Sequence, residues 1–590
     1  MAERSVFRNE THKADLCIVG GGMAGITAAL TAARHDLKVV LMQDRPVLGG
    51  NASSEVRVHV CGADVHNSHA HLRETGILEE LRLENAKRNP QRSFSEWDAL
   101  LYEKLQYDPR ITLLLNCSCL DAAMEGDRIL SVTGWQLTTY TYHTVEAKLF
   151  ADCSGDGILA PLSGAAFRMG REARSEFGES HAPEMADSRT MGMTCLFQAR
   201  EHDRPMPYTP PAWAHKFSSC DDLPHGRKAH DWFEMGYWWI ELGGEYDSIR
   251  DTEYLRDELL KIALGVWDHI KNHCDGRAEK WAIEWLQFLP GKRESVRYEG
   301  DHILNQNDIE AGGKFDDLAA YGGWSMDDHH PAGYWSVKIG APSTMFHKAP
   351  YPYGIPYRSL YSKNIANLFV GGRCHSATHM ALSSTRVAGT GSSMAQAIGA
   401  AAALCVQKGL DPRGILSHMA TLQQALLVDD AYLPGIRQQF GDLTLKAKLT
   451  ALQGDPAPVR DGTNRQVGDD PHAWTHKPGD SIAYELSAPR FVAQAVLALD
   501  SGMERDIQMS YHGKYGAKLI LPDVIADSFD VEIKEGGAWH RHASVTGNCR
   551  RFIRIPIEKP CEGVRYTLRK TNGASAIRMY SFYLGEGNGL

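Results

Sequence analysis

An apolar strand, Ala14 to Val19, enters a glycine-rich turn and leaves it as an Ala-rich run from Ile26 to Arg34. A second apolar run, Lys38 to Met42, follows, and residues 111–115, 128–137 and 142–151 read as strands separated by turn signals such as Glu125-Gly126-Asp127. A buried-strand pattern recurs at Asn367 to Val370, ends in Gly371-Gly372, and leads through a loop rich in His and small polar groups to an Ala-rich helix from Ser393 to Leu404. Residues 413–432 read as an amphipathic helix. Strands alternating with helices predict an α/β core of Rossmann type.

Between about 160 and 360 that pattern loosens, and nine of the thirteen tryptophans fall there, which predicts an inserted α+β region. Pro, Gly and Asp then cluster at Gly454 to Pro458 and at Asp461 to Asp470, a composition that reads as a linker. Beyond it, alternating runs such as Phe529 to Lys534 and Val564 to Arg569, separated by Gly-Gly and Asn-Gly turns, predict an all-β, jelly-roll-like sandwich. The expected division is 1–160 with 355–450, an insert over 161–354, a linker over 451–480 and a sandwich over 481–590.

The 590 residues are 43% hydrophobic and 23% charged, values of a globular chain, and the net charge of −10 without a Lys/Arg block excludes a polyanion-binding footprint. The expected partner is a small molecule, not nucleic acid, and homo-oligomerisation is left open. No apolar run is long enough to span a membrane, and the polar start lacks a signal-peptide core, so a cytoplasmic location is expected. The twelve cysteines form no Cys-x-x-Cys pair and several lie in apolar runs, an arrangement that predicts buried thiols and no metal site. His66, His69 and His71 cluster locally but lack an acidic or thiol partner set.

The turn Gly20-Gly21-Gly22-Met23-Ala24-Gly25 has the chemistry of a dinucleotide site. Gly20 permits the tight turn, Gly22 lets the backbone approach a pyrophosphate, Gly25 allows close helix–strand packing, and the free N–H groups at Met23 and Ala24 face the phosphates. Where an acid normally meets the ribose, the chain has Gln43, with Asp44 next, and either can serve. A second Gly pair, in Arg45 to Ser54, is similar to the segment that flavoproteins run alongside their cofactor, a resemblance that implies FAD rather than NAD.

On these residues the sequence resembles the FAD-dependent oxidoreductases of the glutathione-reductase and fumarate-reductase type, over roughly residues 14 to 437. The resemblance implies cofactor contacts at Arg45, Gly49, Gly50, Asn51, Ser54, Glu55, Val56 and Arg57, and at Ser154, Gly155 and Asp156 after a strand. Further contacts are implied at Gly372, Arg373, Gly391 and Ser392, where a helix N-terminus stabilises reduced flavin. Arg373 stands where many relatives have Asp. The tail, with Gly537-Ala538-Trp539 and the run Arg565 to Tyr583, resembles galactose-binding-like domains.

His375 and His379 precede the flavin-facing turn, and either could accept a hydroxyl proton as hydride leaves carbon. Arg386 would orient substrate, and Glu55, Arg57 and His59 would share one strand face beside the flavin ring. Arg293, Arg297 and His329 are substrate-binding candidates, and the tryptophans suit a sugar ring. The expected reaction takes hydride from a hydroxyl-bearing carbon of a carbohydrate or glycoside, with a redox-neutral variant through a transient keto-sugar. A carbon–carbon desaturase or reductase acting on a carboxylate, and a noncatalytic flavin-containing binding protein, are the alternatives.

Overall fold

A computed structural model describes residues 7–509 and 519–587. Its central sheet contains β1 (Arg8–Val19), β2 (Val39–Met42), β3 (Ile111–Leu114), β4 (Cys117–Glu125), β5 (Arg128–Gln136) and β6 (Thr141–Asp152) in the order β3-β2-β1-β6-β5-β4. β1 pairs in parallel with β2 and β6, whereas β4 to β6 form an antiparallel meander. Helix α1 (Met23–Arg34) connects the parallel neighbours β1 and β2, the crossover unit expected of a dinucleotide fold.

The insert builds small two- and three-stranded sheets around helix α2 (Thr252–Asp268), with a core that includes Phe197, Tyr237, Trp267 and Tyr334. The chain then returns as β7 (Leu368–Val370), which pairs in parallel with β6, and continues into α3 (His379–Thr385) and α4 (Ala388–Lys408). Helix α4 starts five residues earlier than the Ala-rich run suggests. It packs on α1 through small residues: a Cβ on Gly399 would stand 2.7 Å from the Ala28 carbonyl oxygen. The expected helix over 413–432 divides into a 3₁₀ turn, Pro412–His418, and a helix, Met419–Val428.

The tail is a seven-stranded antiparallel array: β8 (Lys448–Ala451), β9 (Trp474–His476), β10 (Ser481–Leu499), β11 (Ala526–Glu535), β12 (Ala538–Val545), β13 (Phe552–Thr571) and β14 (Ile577–Gly585). The long strands β10 and β13 pair along their length but shift register between Glu485 and Arg490. Before the shift β10 borders β8, and after it β14. The two halves thus lie in opposite layers of a sandwich, closed on a core of Tyr484, Leu497, Val531, Tyr566 and Phe582. Gly536 and Gly537, both at positive φ, make the two-residue turn between β11 and β12.

The stretch over 451–480 is not a free linker. Val459 and Arg465 are fully buried, and Arg465 lies 4.1 Å over the Tyr432 ring while donating to Thr75 Oγ1 at 2.7 Å. Its Pro/Gly composition reflects tight turns against the α/β unit. Arg551 of the sandwich pairs with Asp430 at 3.0 Å, both side chains buried, and Arg554 pairs with Asp429 at 2.6 Å. No helix among the described residues is long and apolar enough to cross a membrane.

Candidate active site

The glycine turn meets its neighbours backbone to backbone. A Cβ on Gly20 would lie 2.4 Å from the Cys153–Ser154 main chain, and one on Gly25 would lie 1.9 Å from the Gly20 carbonyl oxygen. A Cβ on Gly22 would meet nothing within 4 Å, so the space in front of α1 is open. Gly22 caps α1 without any side-chain hydrogen bond, and Met23 and Ala24 open the helix. Gly49 donates its N–H to the Gly21 carbonyl at 2.8 Å, which brings the second Gly pair, Gly49-Gly50, against the first.

Gln43 does not face that space. Its Oε1 accepts from the Gly21 N–H at 2.7 Å and its Nε2 donates to the Val47 carbonyl at 3.2 Å, so it braces the turn. The Asp44 carboxylate is exposed at the end of β2 and its pKa is raised, by partial burial and then by Asp156 and Glu55, against the pull of Arg45. Arg45 forms a two-point pair with Glu55, at 2.8 and 3.1 Å.

Glu55, Arg57 and His59 do not share a strand face, contrary to the alternating pattern. The chain turns there, Arg57 at φ 58°, and its guanidinium reaches Gln198 Oε1 at 2.6 Å and covers the Trp285 ring. Asn51 donates to the Lys292 carbonyl, the Ser54 N–H points at Asp98, and Val56 is buried. The Ser154 hydroxyl is likewise committed: it donates to Asp152 Oδ1 at 2.6 Å and accepts from the Gly157 and Ile158 N–H groups. Asp152, at the end of β6, also takes the Tyr298 hydroxyl at 2.6 Å. This buried brace was not apparent from the sequence.

Asp156 joins Gly155 to the loop after β7. Its carboxylate contacts Arg373 Nη2 at 2.9 Å, Lys292 Nζ at 2.7 Å and Ser295 Oγ at 2.7 Å. Burial opposes its ionisation, but the two cations outweigh burial and hold the pKa at about 2. The Arg373 side chain therefore serves an ion cluster. A Cβ on Gly372, at φ 70°, would lie 3.0 Å from the Ala24 Cβ, and one on Gly391 would lie 3.5 Å from the Gly372 Cα, so α1, β7 and α4 converge. Ser392 Oγ donates back to the Ala388 carbonyl, and the Thr390 hydroxyl beside it is buried with no protein partner.

Neither loop histidine is placed to accept a proton. His375 is fully buried, its Nδ1 donating to the Gly372 carbonyl at 2.8 Å and its Nε2 lying 3.0 Å from Thr385 Oγ1. Burial lowers its pKa to about 4, so it is neutral and enclosed. His379 sits between Glu294 Oε2 at 2.8 Å and Asp328 Oδ1 at 3.0 Å. Burial would lower its pKa, but the two carboxylates prevail and raise it to about 10, so both nitrogens carry protons. Arg297 is fully enclosed by Glu294, Glu172 and the Gly170 carbonyl and cannot reach a substrate.

The groups left near the start of α4 form two facing sets. On one side, the Cys61 carbonyl accepts the Gly389 N–H at 2.7 Å, and the Cys61 thiol lies 3.3 Å from His59 Nε2, which is 3.5 Å from His66 Nε2. Burial and then Asp64 raise the Cys61 thiol to about 12, so it stays protonated. The sequence cluster of histidines is dispersed: His69 stacks on Tyr351, and only His66 joins His59. On the other side, Arg386 pairs with Asp327 at 3.4 Å, Asp327 lies 3.5 Å from His329 Nε2, and His329 Nδ1 lies 2.6 Å from Glu241. Arg293 bonds Thr194 and the Trp238 carbonyl and pairs with Glu241 at 3.4 Å. Trp324 stands 5.3 Å from His66, and Trp238, 38% exposed, stands 6.1 Å from His329. Arg386 Nε, Asp327 Oδ1 and Trp324 Nε1 are buried without a protein partner, as expected of groups that await a ligand or water. A cleft of about 1170 Å³ lies at the opposite end of α1 between Arg34, Gln424 and Arg554, away from these groups.

A family model described as "FAD dependent oxidoreductase" matches residues 15–426. "Amine oxidase [flavin-containing] A" of Canis lupus familiaris is 33% identical over 92 residues, 15% of this chain and 18% of that protein, so the chain matches under a fifth of its length. Among solved structures, the family 32 carbohydrate-binding module of Streptococcus pneumoniae EndoD is 19% identical, with a TM-score of 0.19, over 25% of this chain and 100% of that one. L-proline dehydrogenase from P. horikoshii is 18% identical, with a TM-score of 0.16, over 28% of this chain and 26% of that one.

Proposed function

The chain belongs to the FAD-dependent oxidoreductase family, and we propose that it oxidises a hydroxyl-bearing carbon of an uncharged, polar substrate of the carbohydrate class. Its residues suit FAD: the open space at Gly22, the uncapped start of α1, the exposed Asp44 carboxylate and the unpartnered Thr390 hydroxyl would hold the cofactor's phosphates, ribose and ring. Bound FAD supplies the acceptor for the hydride.

The protein's part is to hold the substrate and take its hydroxyl proton. His59 is the proton acceptor in this reading, in place of His375 and His379. It is partly exposed and adjoins the first turn of α4 through Cys61. Arg386 and Asp327 present one unpartnered donor and one unpartnered acceptor, a pair suited to vicinal hydroxyls. Trp238 and Trp324 offer aromatic faces to the apolar side of a sugar ring.

The observation that carries this reading is the charge balance of the pocket. Arg386 is matched by Asp327 and Arg293 by Glu241, and Arg297 is withdrawn into the core. A carboxylate desaturase would need guanidinium groups free to pair with the substrate. The test is anaerobic reduction of the FAD-loaded enzyme by substrate: His59→Gln should slow it about 10²–10⁴-fold, the usual contribution of a positioned base. Reduction at the wild-type rate would eliminate His59.

A further inference from the structure

Cys220, His230, His269 and Cys274 bring two thiols and two imidazoles together in the insert, and the proposed flavin chemistry uses none of them. Cys220 Sγ lies 3.5 Å from His230 Nε2, 3.4 Å from His269 Nε2 and 3.9 Å from Cys274 Sγ, and Cys274 Sγ lies 3.7 Å from His230 Nε2. All four donor atoms fall within 4.8 Å of one another. Zinc bonds of about 2.3 Å to sulfur and 2.0–2.1 Å to nitrogen give a tetrahedron with S···S edges of about 3.8 Å and S···N edges of about 3.5 Å. The contacts match those edges.

The surroundings also suit a metal. The Phe217 carbonyl, which can only accept, lies 3.1 Å from His269 Nδ1. The proton is thus fixed on Nδ1, and the Nε2 lone pair faces the other three donors, the outer-shell arrangement of metal-bound histidine. His230 and His269 are both fully buried. His269 opens a π-turn, His269–His273, that follows α2, and Cys274 comes directly after it. The wider turn brings residues five apart to one side, and π-turns concentrate at functional sites. The pair of thiols is too far apart for a disulfide, whose sulfurs stand about 2.05 Å apart.

We infer that Cys220, His230, His269 and Cys274 form a closed, tetrahedral Cys₂His₂ site for a structural zinc ion. Binding releases two thiol protons to solvent, and the two thiolates balance the charge of the ion, leaving a buried site with no net charge. Four protein ligands leave no position for substrate, and thiolate and imidazole donors select zinc over magnesium or calcium. The ion would clamp residues 217–230 to the end of α2. The chain continues from His230 to Trp238, whose carbonyl holds Arg293, so the clamp supports one wall of the candidate substrate pocket.

The test uses full-length, FAD-loaded protein prepared without chelator, with metal measured by mass spectrometry. One zinc per chain is expected, falling below a tenth in Cys220→Ser and in His230→Ala, kept in His230→Cys, and unchanged in the distant Cys549→Ser. Cobalt exchanged into the wild type should give the absorption of a tetrahedral ion and a thiolate charge-transfer band, a readout that does not depend on variant folding. Zinc-free protein that takes up neither zinc nor cobalt, a Cys220–Cys274 disulfide found by mass spectrometry, or zinc retained in Cys220→Ser would overturn the assignment.

Discussion

Glu294 Oε2, in the insert, lies 2.8 Å from Nδ1 of His379, the first residue of α3, and the same glutamate holds Arg297 on its other oxygen. One carboxylate thus joins two buried cations, and Asp328 completes the charge balance. These buried ion pairs tie the segment after β7 to the insert.

His379→Ala leaves Glu294 and Asp328 buried with less compensation, and the expected loss is about 3–5 kcal/mol, the usual cost of breaking a buried ion pair. The folded pKa of His379 is raised to about 10, above the unfolded value of about 6.5. Its stabilisation is therefore complete below about pH 6.5 and is lost as pH rises through 10. Thermal melts across that range should show a decline in wild type that is shallower in His379→Ala. Equal slopes would show that the imidazole is not charged.

His375 has the opposite linkage. Its folded pKa is lowered to about 4, so the unfolded chain binds the proton first and stability falls as pH drops from about 6.5 towards 4. Over that span the loss amounts to about 3 kcal/mol. Urea unfolding of His375→Gln should lose less stability between pH 7 and 4.5 than wild type does. Its flavin should still be reduced, because the ring is sealed from substrate.

Two glycines of the first turn, Gly22 and Gly25, should fail differently. A Cβ on Gly22 meets only open space, so Gly22→Val should fold with wild-type circular dichroism yet purify without flavin absorbance. Gly25→Ala places a methyl against the Gly20 carbonyl, which disturbs the turn itself. It should lower the melting temperature as well as the flavin content. A flavin-replete Gly22→Val would remove the phosphates from that space.

How much of this was legible in the sequence follows from how local each signal is. The glycine turn, strands β1, β2, β3, β5 and β6 and the hairpin at Gly536-Gly537 depend on neighbours within a few residues, and the sequence reads them, although β1 begins at Arg8, before the expected Ala14, and β4 (Cys117–Glu125) was missed. Gln43 was ambiguous because its partner, the Gly21 N–H, lies on the preceding element. Arg297 looked like a substrate clamp because nothing in its own run shows that Glu172, 125 residues away, encloses it. The four Cys and His residues at 220, 230, 269 and 274 escape every spacing rule, since the folds of the insert, not the sequence intervals, bring them together. The tail was assigned a linker because turn residues look alike in a free chain and in a packed one.

Arg551→Ala leaves Asp430, whose pKa burial already raises against the pull of Arg551, without its closest cation. The sandwich and the α/β unit share that buried pair and the Arg465 contacts, so they should unfold together in wild type. Calorimetry of Arg551→Ala should split the single transition into two or shift it down by several degrees. An unchanged trace would show that the sandwich adds nothing to the stability of the core.

The central claim concerns what the pocket between His59 and Arg386 oxidises. The most direct measurement is bleaching of the flavin band when oxygen-free, FAD-loaded protein is mixed with neutral sugars and glycosides on one side and with hydroxy acids and saturated dicarboxylates on the other. The account predicts bleaching by at least one neutral sugar or glycoside, and loss of that bleaching in His59→Gln with FAD content unchanged. Bleaching by the carboxylates alone would contradict it.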